Sequence, residues 1–213
     1  MDRFRQIIAD FKAASPGKIN VIGVVDVGDE HETGDWETAV SVIPEYRTKL
    51  TDAAALDGFY FERVPFDEWK LMALMEVIAT HIDEAERSDC IYQATCTHIN
   101  EEDVTVFGMN APLFNRFAVT HPGAPDIWVT LFASWNDPEG MGKWTPYSWY
   151  PGMIPNKWGA MVFGAPTHML AEISELLYDR GYGNIFIHSG NDVNKPTDHL
   201  FFLDMALRAV DVS

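Results

Sequence analysis

The sequence predicts an α/β protein built on a parallel sheet. Short apolar runs rich in β-branched and aromatic residues alternate along the chain with stretches of helical period, the pattern of strands joined by crossover helices. The chain has 213 residues, 47% hydrophobic and 13% aromatic, which supplies one sizeable buried core and too little for two comfortable domains. No internal repeat, low-complexity tract or linker composition divides it, so residues 1–213 are read as a single domain. Disordered, collagenous and disulfide-scaffold classes are excluded by the same composition.

The elements follow in order. A first helix is expected over Arg3 to Ala14, closed by Ser15, Pro16 and Gly17, and a first strand over Ile19 to Val27. After the acidic loop Asp29 to Asp35, Asp35 is placed to cap a helix running through Tyr46. A second strand spans Gly58 to Val64 and stops at Pro65. The next helix is predicted by Leu71, Leu74, Met75, Ile78 and Ile82, whose spacing makes one apolar face from Trp69 to Ile82, read as core. Two short runs, Cys90 to Cys96 and Val104 to Met109, flank a polar segment and read as an inserted β-hairpin over 90–109. Buried strands are then expected over Arg116 to His121, Asp126 to Ala133, Gly159 to Ala165 and Asn184 to Ser189. Thr167 is placed to cap the helix His168 to Arg180, and Gly181 to end it.

Charge and cysteine content narrow the partners. Fifteen Lys and Arg against 32 Asp and Glu leave a net charge of −17, a field that repels phosphate backbones and anionic head groups and suits either solubility at high salt or a cationic ligand. No nucleic acid and no membrane insertion is expected. The amino terminus mixes charge with apolar residues from Asp2 onward, unlike a signal peptide, so cytoplasmic synthesis is expected. If Cys90 to Cys96 is one strand, the two sulfurs are about 20 Å apart and unbridged.

The motif search removes most cofactor chemistry. There is no G-x-x-x-x-G-K-[ST], no G-x-G-x-x-G after a strand, no H-E-x-x-H, no paired C-x-x-C and no G-x-S-x-G; no cofactor and no metal is expected. What remains lies where strands end. In a barrel-like α/β fold these ends converge on one face, gathering Asp26, Glu62, His121, Ser134 and His188. Two carboxylates there fit acid–base or nucleophilic work on a glycoside. Each also has a structural reading: Asp26 and Glu62 as helix caps or partners of Arg63 or Arg47, the histidines as satisfied buried rings. A metal-dependent hydrolase using His31, His121 or His188 ranks lowest, and the acidic loop lacks calcium-loop spacing. The long proline-rich segment Trp135 to Lys157 carries Trp135, Trp144, Tyr147 and Trp149, rings suited to stacking on sugars or on a protein partner, or equally to folding down as a lid on the core.

Several segments, in order from Ile19 to Leu203, resemble the spherulation-specific family 4 (spherulin-4-like) proteins, a glycoside-hydrolase-type group. GVVDVGD at Gly23 to Asp29 is similar to that family's GYVDTGY, and DGFYFERVP at Asp57 to Pro65 to its DGIFFDEVP. His121 to Gly123 looks like its NPG, Val129 to Phe132 like its V-T-F-E, Thr145 to Trp149 like its T-P-P-x-W. Pro155 to Pro166 and Gly183 to Leu200 match its last two strand regions. The resemblance implies a TIM-like barrel acting on α-1,4-linked galactosamine or N-acetylgalactosamine polymers through three carboxylates. Those positions fall on Glu62, Arg63 and Phe132 here, so two of the three acids are replaced. The family's first two strands have no counterpart, only the first helix.

The resulting expectation is a truncated or permuted barrel with an inserted β-hairpin. It serves as a non-hydrolytic glycan-binding or structural component of a larger assembly, such as a virion or surface layer. Its open edges are expected to be covered by the Cys90 to Met109 element, by copies of the chain or by another assembly protein. Glu62 and Asp26 are the candidate catalytic residues, and Trp135, Trp144, Tyr147, Trp149, His121 and His188 the candidate ligand contacts. The competing expectation is an active endo-glycosidase in which Glu62 pairs with Asp26 or Asp192.

Overall fold

The computed structural model describes residues 2–14, 16–17, 20–28, 36–81, 103–109, 120–137 and 157–190. Helix α1 (Asp2–Ala14) precedes β1 (Ile22–Asp26), followed by α2 (Trp36–Val40), α3 (Val42–Lys49), β2 (Gly58–Glu62), α4 (Glu68–His81), β3 (Val104–Gly108), β4 (Ile127–Ser134), β5 (Trp158–Phe163), α5 (Leu170–Asp179) and β6 (Asn184–His188). The strands form a six-stranded sheet in sequential order, every neighbouring pair parallel. Sequential order means that each crossover advances the same way, and right-handed crossovers then leave all helices on one face. A sheet covered on one face by helices and coiled toward the other is the (β/α) barrel arrangement, here with six strands among the described residues.

The helix-covered face is the core. Val25, Phe59, Phe61, Phe107, Trp128 and Val162 from the strands meet Val40, Ile43, Leu71, Leu74, Met75, Ile78, Ile173 and Leu177 from α2 to α5. Val25, Phe61, Phe107 and Trp128 lie in register across four strands. Their rings interlock edge to face, Phe61 on Phe107 and Phe107 on Trp128, each pair with centroids 5.3 Å apart; such pairs add about 0.5–1.5 kcal/mol beyond area burial. On the opposite face Val24 is 50% exposed, and Tyr60, Phe132, Phe163 and Phe186 are half-buried.

β4 changes face midway. Trp128 pairs with Trp158 and Val129 with Gly159, but the next pairs are Leu131 with Ala160 and Phe132 with Met161, a bulge that leaves Thr130 as the extra residue. By strict alternation Phe132 would share the helix-covered face with Trp128. The bulge instead gives Leu131 and Ala133 to the core and turns Phe132 to the inner face, where its ring meets Phe163 at 5.4 Å.

Several expectations are corrected. Val104 to Met109 is not half of a hairpin: β3 is an interior strand, parallel to β2 on one side and β4 on the other. Where β4 has not yet begun, Asp126 takes over, its Oδ2 accepting from the Thr105 N–H at 2.9 Å and from the Thr105 hydroxyl at 3.0 Å. Both edges of β3 are thus occupied; Cys90 to Cys96 lies outside the described residues. The helix expected through Tyr46 breaks at Ser41, because a proline at position 44 clashes with the carbonyl four residues back in any continuous helix. Trp69 is not core but 83% exposed, while Leu71, Leu74, Met75 and Ile78 are buried as expected. Thr167 caps nothing: Thr167–Met169 is a 3-10 turn after Pro166, and α5 starts at Leu170 without a side-chain cap. Gly181 does end α5, at φ +92°, with its N–H donating to Tyr178 O and that of Tyr182 to Leu177 O, the paired closure that a left-handed glycine permits.

Candidate functional site

The strand ends place Asp26, Glu62, Ser134 and His188 at the carboxyl-terminal rim, each the last residue of its strand. His121 is not among them. The strand expected over Arg116 to His121 is replaced at its described end by the turn at Thr120 to Gly123, which precedes β4. His121 Nε2 lies 3.2 Å from Glu76 of α4, and its Nδ1 accepts the Gly123 N–H at 3.1 Å, a structural role on the helix side.

Part of that rim is hollow. A pocket of about 260 Å³ is lined by Tyr60, Glu62, Arg63, Val64, Phe66, Gly108, Met109 and Phe132. Glu62 and Arg63 are adjacent in sequence and would point to opposite faces of a regular strand. Arg63 breaks the alternation by adopting φ +59°, a left-handed conformation costing about 1–2 kcal/mol for a residue with a side chain. Phe61 pairs with Phe107, yet the Val64 N–H donates to Gly108 O at 3.0 Å, one residue later than regular pairing requires. Arg63 is therefore the extra residue of a second bulge, and both side chains line one pocket. The Met109 N–H donates to Val129 O at 3.0 Å and fixes the next wall.

Arg63 is held from behind. Its Nε donates to Asp26 Oδ1 at 2.8 Å and its Nη2 to Asp26 Oδ2, a two-pronged pair with both side chains about half exposed, 48% and 47%. Asp26 Oδ1 also accepts the Gly28 N–H at 2.8 Å. The structural reading of Asp26 as the partner of Arg63 is the one realised. Glu62, by contrast, has no hydrogen-bond or ion-pair partner among the described residues. Tyr60 stands beneath it: burial, and secondarily the charge of Glu62, push its phenol well above the ordinary range, so the hydroxyl stays protonated and able to donate. Its seat depends on Gly108, where a Cβ would come within 2.7 Å of Tyr60 Cζ.

The other candidates do not line this pocket. His188 is buried, its Nδ1 accepting the Gly190 N–H at 3.0 Å and its ring stacked on Phe186, as a satisfied histidine. Ser134 ends β4 without joining the pocket lining, and Trp135 packs against the core. Trp144, Tyr147, Trp149, Asp192, His31 and the acidic loop lie outside the described residues. Among the described residues no group of three or more His, Cys, Asp or Glu could hold a metal ion, and no helix is long and apolar enough to cross a membrane. No motif pointed to Phe66, and Trp69 was expected in the core. They are 67% and 83% exposed just beyond the end of β2, and Phe66 forms part of the pocket wall.

No protein-family model matches the chain, and no curated protein matches it either. Among solved structures it is similar to Aspergillus clavatus Sph3 in complex with GalNAc, at a TM-score of 0.63 and 14% identity, over 95% of this chain and 77% of that one. The likeness shows the fold: a TIM-like barrel, here with a six-stranded sheet among the described residues.

Proposed function

We propose that the chain binds an amino-sugar unit of a polysaccharide in the pocket at the ends of β2, β3 and β4, and does not hydrolyse it. One observation carries the reading: the described pocket wall holds a single carboxylate, Glu62, while the nearest acid at the rim, Asp26, is locked to Arg63. Glycoside hydrolysis by the usual route needs two carboxyl groups, one protonating the leaving oxygen while the other acts as base or nucleophile. Neither a guanidinium at 63 nor a phenyl ring at 132 performs those roles. Binding requires less: apolar walls, a few oriented polar groups and rings on which a sugar stacks, which Phe132, Phe66, Tyr60 and Glu62 supply. The similar fold of Sph3, solved with GalNAc, supports a carbohydrate as the ligand.

The test is calorimetric titration with galactosamine and N-acetylgalactosamine oligomers, with chromatography of the same mixtures for shortened products. Saturable binding without products is expected, and absence of binding overturns the proposal. Product release would establish the competing reading, hydrolysis through Glu62, which a carboxylate without an ion-pair partner among the described residues favours; Glu62→Gln should then abolish turnover without unfolding the chain.

The same proposal includes completion by copies of the chain. Among the described residues, the outer edges of β1 and β6 carry no neighbouring strand, and α1 exposes Phe4, Ile7 and Phe11 along one stripe, the kinds of surface that association removes from water. Light scattering is expected to give a defined multiple of the 24.0 kDa chain mass; a monodisperse single chain would remove this part of the reading.

A further inference from the structure

Resting on the glycan-binding reading, we infer that the pocket selects a sugar bearing a free, protonated amine over its N-acetylated form, with Glu62 as the residue that discriminates. The argument is one of charge. Two ionised groups line the pocket. Arg63 spends two of its donor groups on Asp26, which cancels most of its field locally. Glu62 forms no ion pair among the described residues, so with Arg63 paired to Asp26 the three charges leave one negative at the wall. Its carboxylate is acceptor-only when ionised, so it can receive an ammonium N–H but can offer nothing to an acetyl carbonyl.

The surroundings favour the same choice. Phe66 and Phe132 stand in the wall, and phenyl faces attract cations within about 6 Å. A volume of about 260 Å³ lies below the range of drug-sized pockets, about 300–1,000 Å³, so the site suits one sugar residue better than a stretch of chain. The net charge of −17 also draws cations to every face of the molecule, but salt screens that general field over about 8–10 Å, and it does not depend on Glu62.

The experiment titrates the full chain with the methyl α-glycosides of galactosamine, N-acetylgalactosamine and galactose at neutral pH and fixed physiological salt. The amine sugar is expected to bind about ten-fold or more tightly than the acetylated one, the scale of a charge-assisted hydrogen bond. Glu62→Gln should bring the two to parity. Glu172→Gln, which removes the same charge from an exposed site on α5, should leave the preference intact. Far-ultraviolet circular dichroism and the thermal midpoint report that each variant is folded. Equal binding of amine and acetylated sugars, or a preference that survives Glu62→Gln or is lost in Glu172→Gln, overturns the inference while leaving glycan binding standing. Failure of all three sugars to bind overturns both.

Discussion

Replacing Arg47 by alanine is expected to lower the free energy of unfolding by about 3–5 kcal/mol, the usual effect of stripping one partner from a buried ion pair. Arg47 of α3 pairs through Nη2 with Asp103, the residue before β3, with side-chain exposures of 19% and 6%. Its Nη1 donates to Leu56 O at 3.0 Å, and its guanidinium carbon lies 4.9 Å from the centroid of the Phe59 ring. One side chain therefore ties α3 to the entry of β2 and of β3. Without it Asp103 is left nearly buried with its main cation gone, and the Leu56 carbonyl loses a donor. Urea unfolding followed by tryptophan fluorescence measures the change. A loss below about 1 kcal/mol would mean that Asp103 behaves as an exposed acid. Arg47→Lys should recover only part of the loss, because an ammonium cannot satisfy a carboxylate, a carbonyl and a ring face in one planar arrangement.

The second large effect is expected at Gly58, the first residue of β2. It sits at φ +157°, and a Cβ there would lie 2.7 Å from the Val104 backbone nitrogen and closer still to the Val104 carbonyl oxygen. The obstacle is the main chain of the neighbouring strand, which cannot rotate away as a side chain would. Gly58→Ala combines backbone strain with overpacking, each costing about 1–3 kcal/mol, and the β2–β3 ladder must shift at its first pair, Gly58 with Val104. The expected result is a loss of about 2–6 kcal/mol in the same denaturation experiment. In a domain of ordinary stability, about 5–15 kcal/mol, the upper part of that range leaves a substantial unfolded fraction in native buffer. An unchanged midpoint would mean that the sheet accepts a wider β2–β3 spacing at this end.

Much of the scaffold was legible in the chain because its signals are local. Val25, Phe61 and Val162 sit within runs too apolar to be anything but buried strands, and Leu71, Leu74, Met75 and Ile78 repeat at a helical period. What escaped depends on relations between strands. A five-residue run such as Val104–Gly108 does not encode whether its neighbours run parallel or antiparallel, and that alone separated a hairpin from an interior strand. Trp69 illustrates the converse, an apolar residue at the right spacing that the start of α4 leaves outside the core.

The site divides the same way. The ends of β1 and β2 put Asp26 and Glu62 at one rim, as their place in the apolar runs implied. Their different fates were set by Arg63, whose left-handed backbone brings its guanidinium against Asp26 and away from the alternation that the chain would otherwise follow. Neither bulge, at Arg63 or at Thr130, has a residue signature of its own, and together they bring Arg63 and Phe132 to the pocket.

The sequential order of the sheet carries a consequence for how the molecule is made. Each strand pairs with the one synthesised just before it, β2 on β1, β3 on β2 and so on to β6. As a nascent chain lengthens, each described strand after β1 emerges beside a template already in place, and none of these waits for a partner encoded further downstream. A doubly wound sheet, whose order reverses at its centre, must instead build outward from two edges. Among the described strands growth has a single front, the most recent strand, and the tendency of their unpaired edges to capture other chains is confined at each moment to that front and to β1.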